Sequence, residues 1–478
     1  MNRQIGRLFG LVVILFAVLV ISTSWWSVFS AEGLEAMNAN RRPLLRQEQV
    51  PRGLILAADD AALAESRNVA SPEEPRYVRE YPEGSLFSHA VGYSFVSRGN
   101  AGLERYYNDD LAGEGSEFES ILDDLSTEGE EGEDLRTTLD PAAQRTAIEA
   151  LGGQAGSVVA IEPDTGAVRV MVSLPDYDPN QVPQQFEQLN RAENSPLLNR
   201  ATQGRYPPGS TFKVVTASAA LDSGDFTPTT TVNGQSGISI GGTPLANFGG
   251  QDFGPVSLTD ALTNSVNTVW AQVGEQVGSE TLFEYMERFG FGRKPPLDYP
   301  PDEMQASGVF DGNKVLRGSD PVDVGRVAIG QERLQVSPLQ MAMVAAAVAN
   351  DGTLMRPHLA DEIVARDGRV ESRVRPQEFA EVMTSQSASQ LTDMMSSVVE
   401  EGSGTAAALE GISVAGKTGT AEVEAGAANQ AWFIAFAPAD DPEMAIAVTV
   451  ERTQGTGGEV AAPIAKRVLE QFLGDQGG

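Results

Sequence analysis

The sequence predicts an α+β fold, an antiparallel sheet flanked by helices. Three observations point there. Two apolar runs, 156–161 and 167–172, are joined by Glu162-Pro163-Asp164-Thr165-Gly166, which is turn chemistry, so they form a hairpin. A block from about 210 to 350 is dominated by helical patterns. Strand candidates at 412–415, 432–437 and 444–451 then precede a closing helix at 460–472, on which Val460, Ala461, Ile464, Val468, Leu469 and Phe472 share one face.

The first element is apolar. Residues 8–26 are broken only by Ser22, Thr23 and Ser24 and would span about 28 Å as a helix, close to the hydrocarbon thickness of a bilayer. Arg3 and Arg7 precede them, which places a short tail (1–7) in the cytoplasm and the rest of the chain outside. The expectation is a single-pass anchor at 8–26, with a signal peptide cut after Ser30 as its rival. Residues 27–113 carry short strand-like pieces, such as 53–56 and 93–96, and read as an elongated accessory region. From Glu114 to Asp134 there are ten acids and no base, so 114–134 reads as a solvated linker closing the 27–134 region. Order resumes at 135 and continues to 478. A helix is expected at 141–151 with Asp140 as its N-cap, and a polar loop rich in Pro, Asn and Gln at 176–193.

Composition narrows the chemistry. The 478 residues contain no cysteine, two histidines (His89 and His358) and five lysines (Lys213, Lys294, Lys314, Lys417 and Lys466). Thiol nucleophiles, disulfides, iron–sulfur clusters and cysteine or histidine-rich metal sites are excluded. No metal and no cofactor is expected. The net charge of −32 repels phosphate backbones, which argues against nucleic acid as a partner. An enzyme built this way must move protons with carboxylates, lysine, tyrosine or hydroxyls.

Three motifs meet that requirement. In Tyr206-Pro207-Pro208-Gly209-Ser210-Thr211-Phe212-Lys213 the prolines and glycine stop the preceding element, and a helix begins that runs to about Leu221. Ser210 then sits at a helix start, where free N–H groups favour negative charge, and Lys213 lies on the same face. Burial and nearby positive charge make a lysine neutral enough to serve as base. Alone, the pattern equally describes a serine N-cap with an exposed lysine. Ser265-Val266-Asn267 interrupts a helical pattern between 258–263 and 268–273; alone it is a capping turn. Lys417-Thr418-Gly419-Thr420 follows the strand expected at 412–415. There the glycine admits another backbone and the lysine and hydroxyls suit a carboxylate.

Together, in this order, the three motifs resemble the active site of penicillin-binding proteins and serine β-lactamases. Further matches run along the chain: Arg52-Gly53, Arg79-Glu80-Tyr81-Pro82, Gly102-Leu103-Glu104-Arg105-Tyr106-Tyr107, Thr138-Leu139-Asp140 with Gln144, Ser173-Leu174-Pro175, Tyr177-Asp178-Pro179-Asn180, Asn199-Arg200, Gly330-Gln331, Pro338-Leu339-Gln340 and Trp432-Phe433. They resemble the class B penicillin-binding proteins, and among these the smaller actinobacterial penicillin-binding protein A type. The resemblance implies a transpeptidase domain over 135–478 behind an accessory, dimerisation- or pedestal-like region. It implies a serine D,D-transpeptidase that cross-links peptidoglycan stem peptides from lipid-linked precursor and is acylated by β-lactam antibiotics. It also implies a membrane glycan polymerase as partner. Carried over by residue, Ser210 is the nucleophile, Lys213 its base, and Ser265 a proton relay aided by Lys417. Asn267 holds the substrate amide, Thr418, Gly419 and Thr420 line the carboxylate site, and the N–H groups of Ser210 and Thr420 form the oxyanion hole.

Relatives with other activities fit less well. The 108 residues from 27 to 134 are too few for a glycosyltransferase domain with its linkers. Glu303 and Glu332 lie where a class A β-lactamase keeps its water-activating glutamate, but neither begins a Glu-x-x-x-Asn pattern. A β-lactam sensor would carry several membrane spans.

Overall fold

The computed structural model describes residues 2–28, 49–71, 75–113, 132–424 and 428–474. The acidic stretch expected as a linker lies outside them from 114 to 131; its last residue, Asp134, opens a strand. The chain divides into two compact units, Met1–Pro51 with Arg67–Val78, and Arg52–Ser66 with Arg79–Gly478.

The first unit holds helix α1 (Asn2–Val28). Its large apolar side chains between 8 and 20 are solvent-exposed, Leu8 at 63% and Phe16 at 67%. Among the described residues, no helix is long and apolar enough to cross a membrane.

After α1 come short strands β1 (Ile55–Leu56), β2 (Ala62–Asn68), β3 (Tyr77–Glu80), β4 (Tyr93–Phe95), β5 (Gly99–Ala101) and β6 (Asp134–Thr137), of which the end of β2 and the start of β3 belong to the first unit and the rest to the second. Glu104, fully buried, ties this region together. It receives Arg79 Nε at 2.5 Å, Arg52 Nη2 at 3.0 Å and the Tyr81 hydroxyl at 3.3 Å. Burial opposes its charge, but the two guanidiniums outweigh that and hold the carboxyl below its ordinary range. Three separate sequence motifs therefore converge on one carboxylate.

Next come helix α2 (Pro141–Leu151), capped as expected by Asp140 accepting from the Ala143 N–H at 2.8 Å, and the expected hairpin, β7 (Gly156–Ile161) with β8 (Val168–Leu174). The loop expected at 176–193 is instead mostly helix α3 (Val182–Arg191). The middle of the chain supplies α4 (Lys213–Asp222), α5 (Leu258–Thr263), α6 (Asn267–Val277) and α7 (Pro338–Ala349). Strands β9 (Ala360–Val364) and β10 (Val370–Arg373) follow, then α8 (Ser385–Glu400), β11 (Ala415–Glu424), β12 (Ala428–Ala437), β13 (Met444–Thr453) and α9 (Gly457–Gly474). The strand expected at 412–415 thus starts only at Ala415. Ile412 bridges locally to Leu409, and pairing with β12 begins at Ala415 opposite Phe436.

The main sheet runs β11-β12-β13-β7-β8, antiparallel throughout. Alternation along its strands fills two cores. Val159, Ile161, Trp432, Ile434 and Phe436 join a large cluster with the buried helix α7. Val158, Ala160, Phe433, Ala435, Ile446 and Val448 meet α2 and α9 on the other face. Covered on both faces, these strands read as continuous apolar runs. A second sheet, ordered β10-β9-β6-β1-β2-β3, pairs β6 parallel to β1 and antiparallel to β9.

Candidate active site

Ser210 lies in a single 3₁₀ turn, Gly209–Phe212, that feeds directly into α4. Backbone crowding sets the turn's position. Gly209 has φ +53°, and a β-carbon there would stand 2.9 Å from the Thr420 carbonyl oxygen of β11. Its N–H donates to the Gly330 carbonyl at 3.1 Å, and a β-carbon on Gly330 would overlap the Gly209 carbonyl. Both positions need glycine. Trp432 of β12 donates its indole N–H to the Pro207 carbonyl at 3.0 Å, and Tyr206 donates to Glu451 at 2.5 Å, fixing the approach to the turn.

Lys213 opens α4 and is fully buried. Its Nζ lies 2.7 Å from the Ser265 carbonyl, 2.7 Å from Asn267 Oδ1 and 3.2 Å from Ser265 Oγ. Lys417, equally buried, places its Nζ 3.0 Å from the same Ser265 Oγ. Two amines therefore share one hydroxyl. Ser265 occupies the corner between α5 and α6 with φ +56°, a left-handed conformation that a serine adopts at some cost in strain. Burial, with the charge of Lys417 beside it, lowers the Lys213 pKa well below the usual lysine range; burial brings Lys417 down to about 7. A neutral Lys213 has two N–H bonds, matched by its two oxygen acceptors at 2.7 Å, and keeps a lone pair.

The Lys-Thr-Gly-Thr segment lies inside β11 rather than after a strand. A β-carbon on Gly419 would come within 2.7 Å of the Pro208 carbonyl and 2.9 Å of the Thr211 methyl, so this glycine lets the strand pass against the Ser210 turn. Thr418 Oγ1 shares a hydrogen bond with Ser403 Oγ at 2.6 Å, and Thr420 Oγ1 accepts from the Gly457 N–H at the start of α9 at 3.1 Å. All eight residues singled out in the sequence thus fall on three stretches of chain: the turn leading into α4, the corner leading into α6, and β11. Among the described residues no hydrogen bond joins Ser210 to Lys213 directly. Neither histidine bonds Ser210: His89 Nε2 contacts the Pro196 carbonyl and His358 Nδ1 the Ala360 carbonyl. Among the described residues, no group of three or more acids or histidines is placed to hold a metal.

Several supporting residues escaped the sequence. Ser403 sits in a Gly-Ser-Gly stretch with no distinguishing pattern. Glu451 follows the apolar run of β13, yet accepts from both Tyr206 and Arg200 Nε, the latter at 2.7 Å. Of the flanking motifs, Asn180 brackets the Tyr81 backbone, accepting its N–H at 3.0 Å and donating to its carbonyl at 2.9 Å; Gln144 bonds both N–H and carbonyl of Met171.

Comparison with known proteins gives the family. Residues 156–470 match the penicillin-binding protein transpeptidase domain, and residues 52–135 the penicillin-binding protein A dimerisation domain. The peptidoglycan D,D-transpeptidase PbpA of Mycolicibacterium smegmatis is 35% identical over 99% of both chains. Penicillin-binding protein A of M. tuberculosis, solved as a ceftriaxone acyl-enzyme, superposes with a TM-score of 0.80 at 33% identity, over 90% of this chain and 100% of that one. The D,D-transpeptidase domain of a peptidoglycan glycosyltransferase from Eggerthella lenta gives 0.79 at 33% identity, over 90% and 99%.

Proposed function

The chain belongs to the penicillin-binding protein transpeptidase family, a serine D,D-transpeptidase of peptidoglycan, and from that premise we propose how its residues divide the reaction. Ser210 Oγ attacks the carbonyl joining the two terminal D-alanines of a donor stem peptide. Lys213, held neutral, takes the hydroxyl proton. The resulting oxyanion lies between the N–H groups of Ser210 and Thr420, each such donor contributing about 3 kcal/mol. Ser265, bonded to both amines, relays a proton to the departing D-alanine nitrogen, with Lys417 on its far side. Asn267 fixes Lys213 and offers its amide N–H to the substrate backbone. The donor carboxylate lies against Lys417, Thr418 and Thr420, with Gly419 giving the strand its clearance. Attack by an acceptor amine then releases the cross-linked peptide. A β-lactam enters the same site and leaves Ser210 acylated.

The observation that carries this reading is the Lys213 amine held by the Ser265 carbonyl and Asn267 Oδ1, one turn from Ser210 and sharing Ser265 Oγ with Lys417. Residues 8–26 form a membrane anchor, with 1–7 in the cytoplasm, 27–134 as the accessory region and 135–478 as the transpeptidase domain outside. The exposed apolar side chains of α1 support the anchor. Lipid-linked precursor, polymerised by a membrane glycan polymerase, supplies the donor strand.

Labelled penicillin should acylate the protein covalently, and Ser210→Ala should abolish both the label and the D-alanine release seen on polymerised precursor. Persistent labelling of the variant would remove Ser210 as nucleophile.

A further inference from the structure

A cavity of about 360 Å³, sharing no residue with the catalytic motifs, is lined by Tyr107, Asp298, Arg356, His358, Arg373 and Arg375 among others. Tyr107 belongs to the region matching the dimerisation domain; the others belong to the transpeptidase match. Its charge is unusual for this chain. Acids outnumber bases 66 to 34, so a guanidinium normally finds a carboxylate. Arg373 does, pairing with Glu362. Arg356 uses only Nε, donating to the Pro296 carbonyl at 3.0 Å, and Arg375 has no partner among the described residues. A guanidinium carries five N–H donors, so most of theirs are left to solvent rather than to protein acceptors.

The acid in the wall does not neutralise them. Asp298 is bonded to the Leu359 N–H at 2.7 Å, the Ala360 N–H at 2.9 Å and the Tyr107 hydroxyl at 2.8 Å. Burial also pushes its carboxyl upward. Beside it, His358 gives Nδ1 to the Ala360 carbonyl at 2.7 Å, while its Nε2 is buried with no partner. A buried polar atom without a partner is uncommon and accompanies sites that order a ligand or water.

We propose that this cavity binds an oxyanion, a phosphate or carboxylate group gripped by Arg356 and Arg375. The planar fork of arginine matches two oxygens of either group. The diphosphate of a lipid-linked precursor and the free carboxylate of a stem peptide present the same chemistry. The proposal is independent of the role of Ser210.

The test titrates the full chain with inorganic pyrophosphate in one arm. The other arm uses a stem tripeptide lacking both terminal D-alanines, which leaves the catalytic cleft without its scissile bond. Saturable binding of either is expected, with affinity at least tenfold weaker in Arg356→Gln and Arg375→Gln. Both residues are exposed, so the fold and the rate of penicillin acylation should be unchanged. Tighter pyrophosphate identifies the phosphate source, and tighter tripeptide the carboxylate source. Failure of both to saturate, or equal affinity in the variants, overturns the site; loss of acylation in wild type would overturn the Ser210 assignment instead.

Discussion

Two fully buried amines within hydrogen-bonding distance of one hydroxyl cannot both carry charge comfortably, and this sets the chemistry at the residue scale. Burial and the charge of Lys417 act together to lower the Lys213 pKa well below the usual lysine range. Below its depressed pKa it holds a proton and has no lone pair for the Ser210 proton; above it, the lone pair is free. Acylation by a β-lactam should therefore stay level at alkaline pH and fall on the acid side, far below the ~10.4 of free lysine. Replacing Lys417 removes a positive neighbour and admits water, and both effects raise the Lys213 pKa. In Lys417→Ala the acid limb of the acylation profile should move to higher pH, whatever the drop in absolute rate. A limb that stays put or moves lower would show that Lys213 is not the titrating base.

At the scale of elements, the site depends on how closely β11 passes the start of α4. Gly419 makes that passage possible, because a methyl there would press on the Pro208 carbonyl and the Thr211 methyl. Gly419→Ala should push the strand off the turn and move the Thr420 N–H from the oxyanion position proposed for it. A displacement near 1 Å can cost about 100-fold in rate, while the fold loses ~1–3 kcal/mol to overpacking. The acylation rate measured against the melting temperature checks this; equal acylation by variant and wild type would contradict it. The same strand shows what local pattern conveys and what it does not. Its motif was legible as Lys417-Thr418-Gly419-Thr420, but its extent was not. The apolar run ends at Ala415, whereas backbone pairing continues through the polar residues that follow it. Helix α3 was missed for a related reason. Val182, Phe186 and Leu189 keep helical spacing and Pro183 marks its first turn, but Gln and Asn dominate the composition and only Val182 is buried. Ser403 and Glu451 reach the site by long-range contacts that leave no trace in their neighbours.

The molecule as a whole combines sheets assembled from distant segments with one apolar helix at its start. Strands β9 and β10 join β6 and β1 across more than 200 residues of chain, a pairing that no local periodicity announces. Helix α1 is the opposite case, since its composition alone suggests its use. Residues 8–21 include twelve Leu, Ile, Val or Phe. At roughly −0.3 to −0.6 kcal/mol each, they favour insertion by several kcal/mol, and with Arg3 and Arg7 ahead of them the leading end is expected on the cytoplasmic side. In water the same side chains stay exposed. The full chain should therefore remain in membranes washed with carbonate and be released only by detergent. Removal of residues 1–28 should free it into solution. All eight positions to which we assign catalytic or substrate-binding roles lie in the second unit, which has its own cores. Penicillin acylation of the released protein should then stay within about twofold of the full chain. Recovery of the full chain in the carbonate wash, or retention of the shortened one in the membrane, would show that residues 8–26 are not what holds the enzyme there.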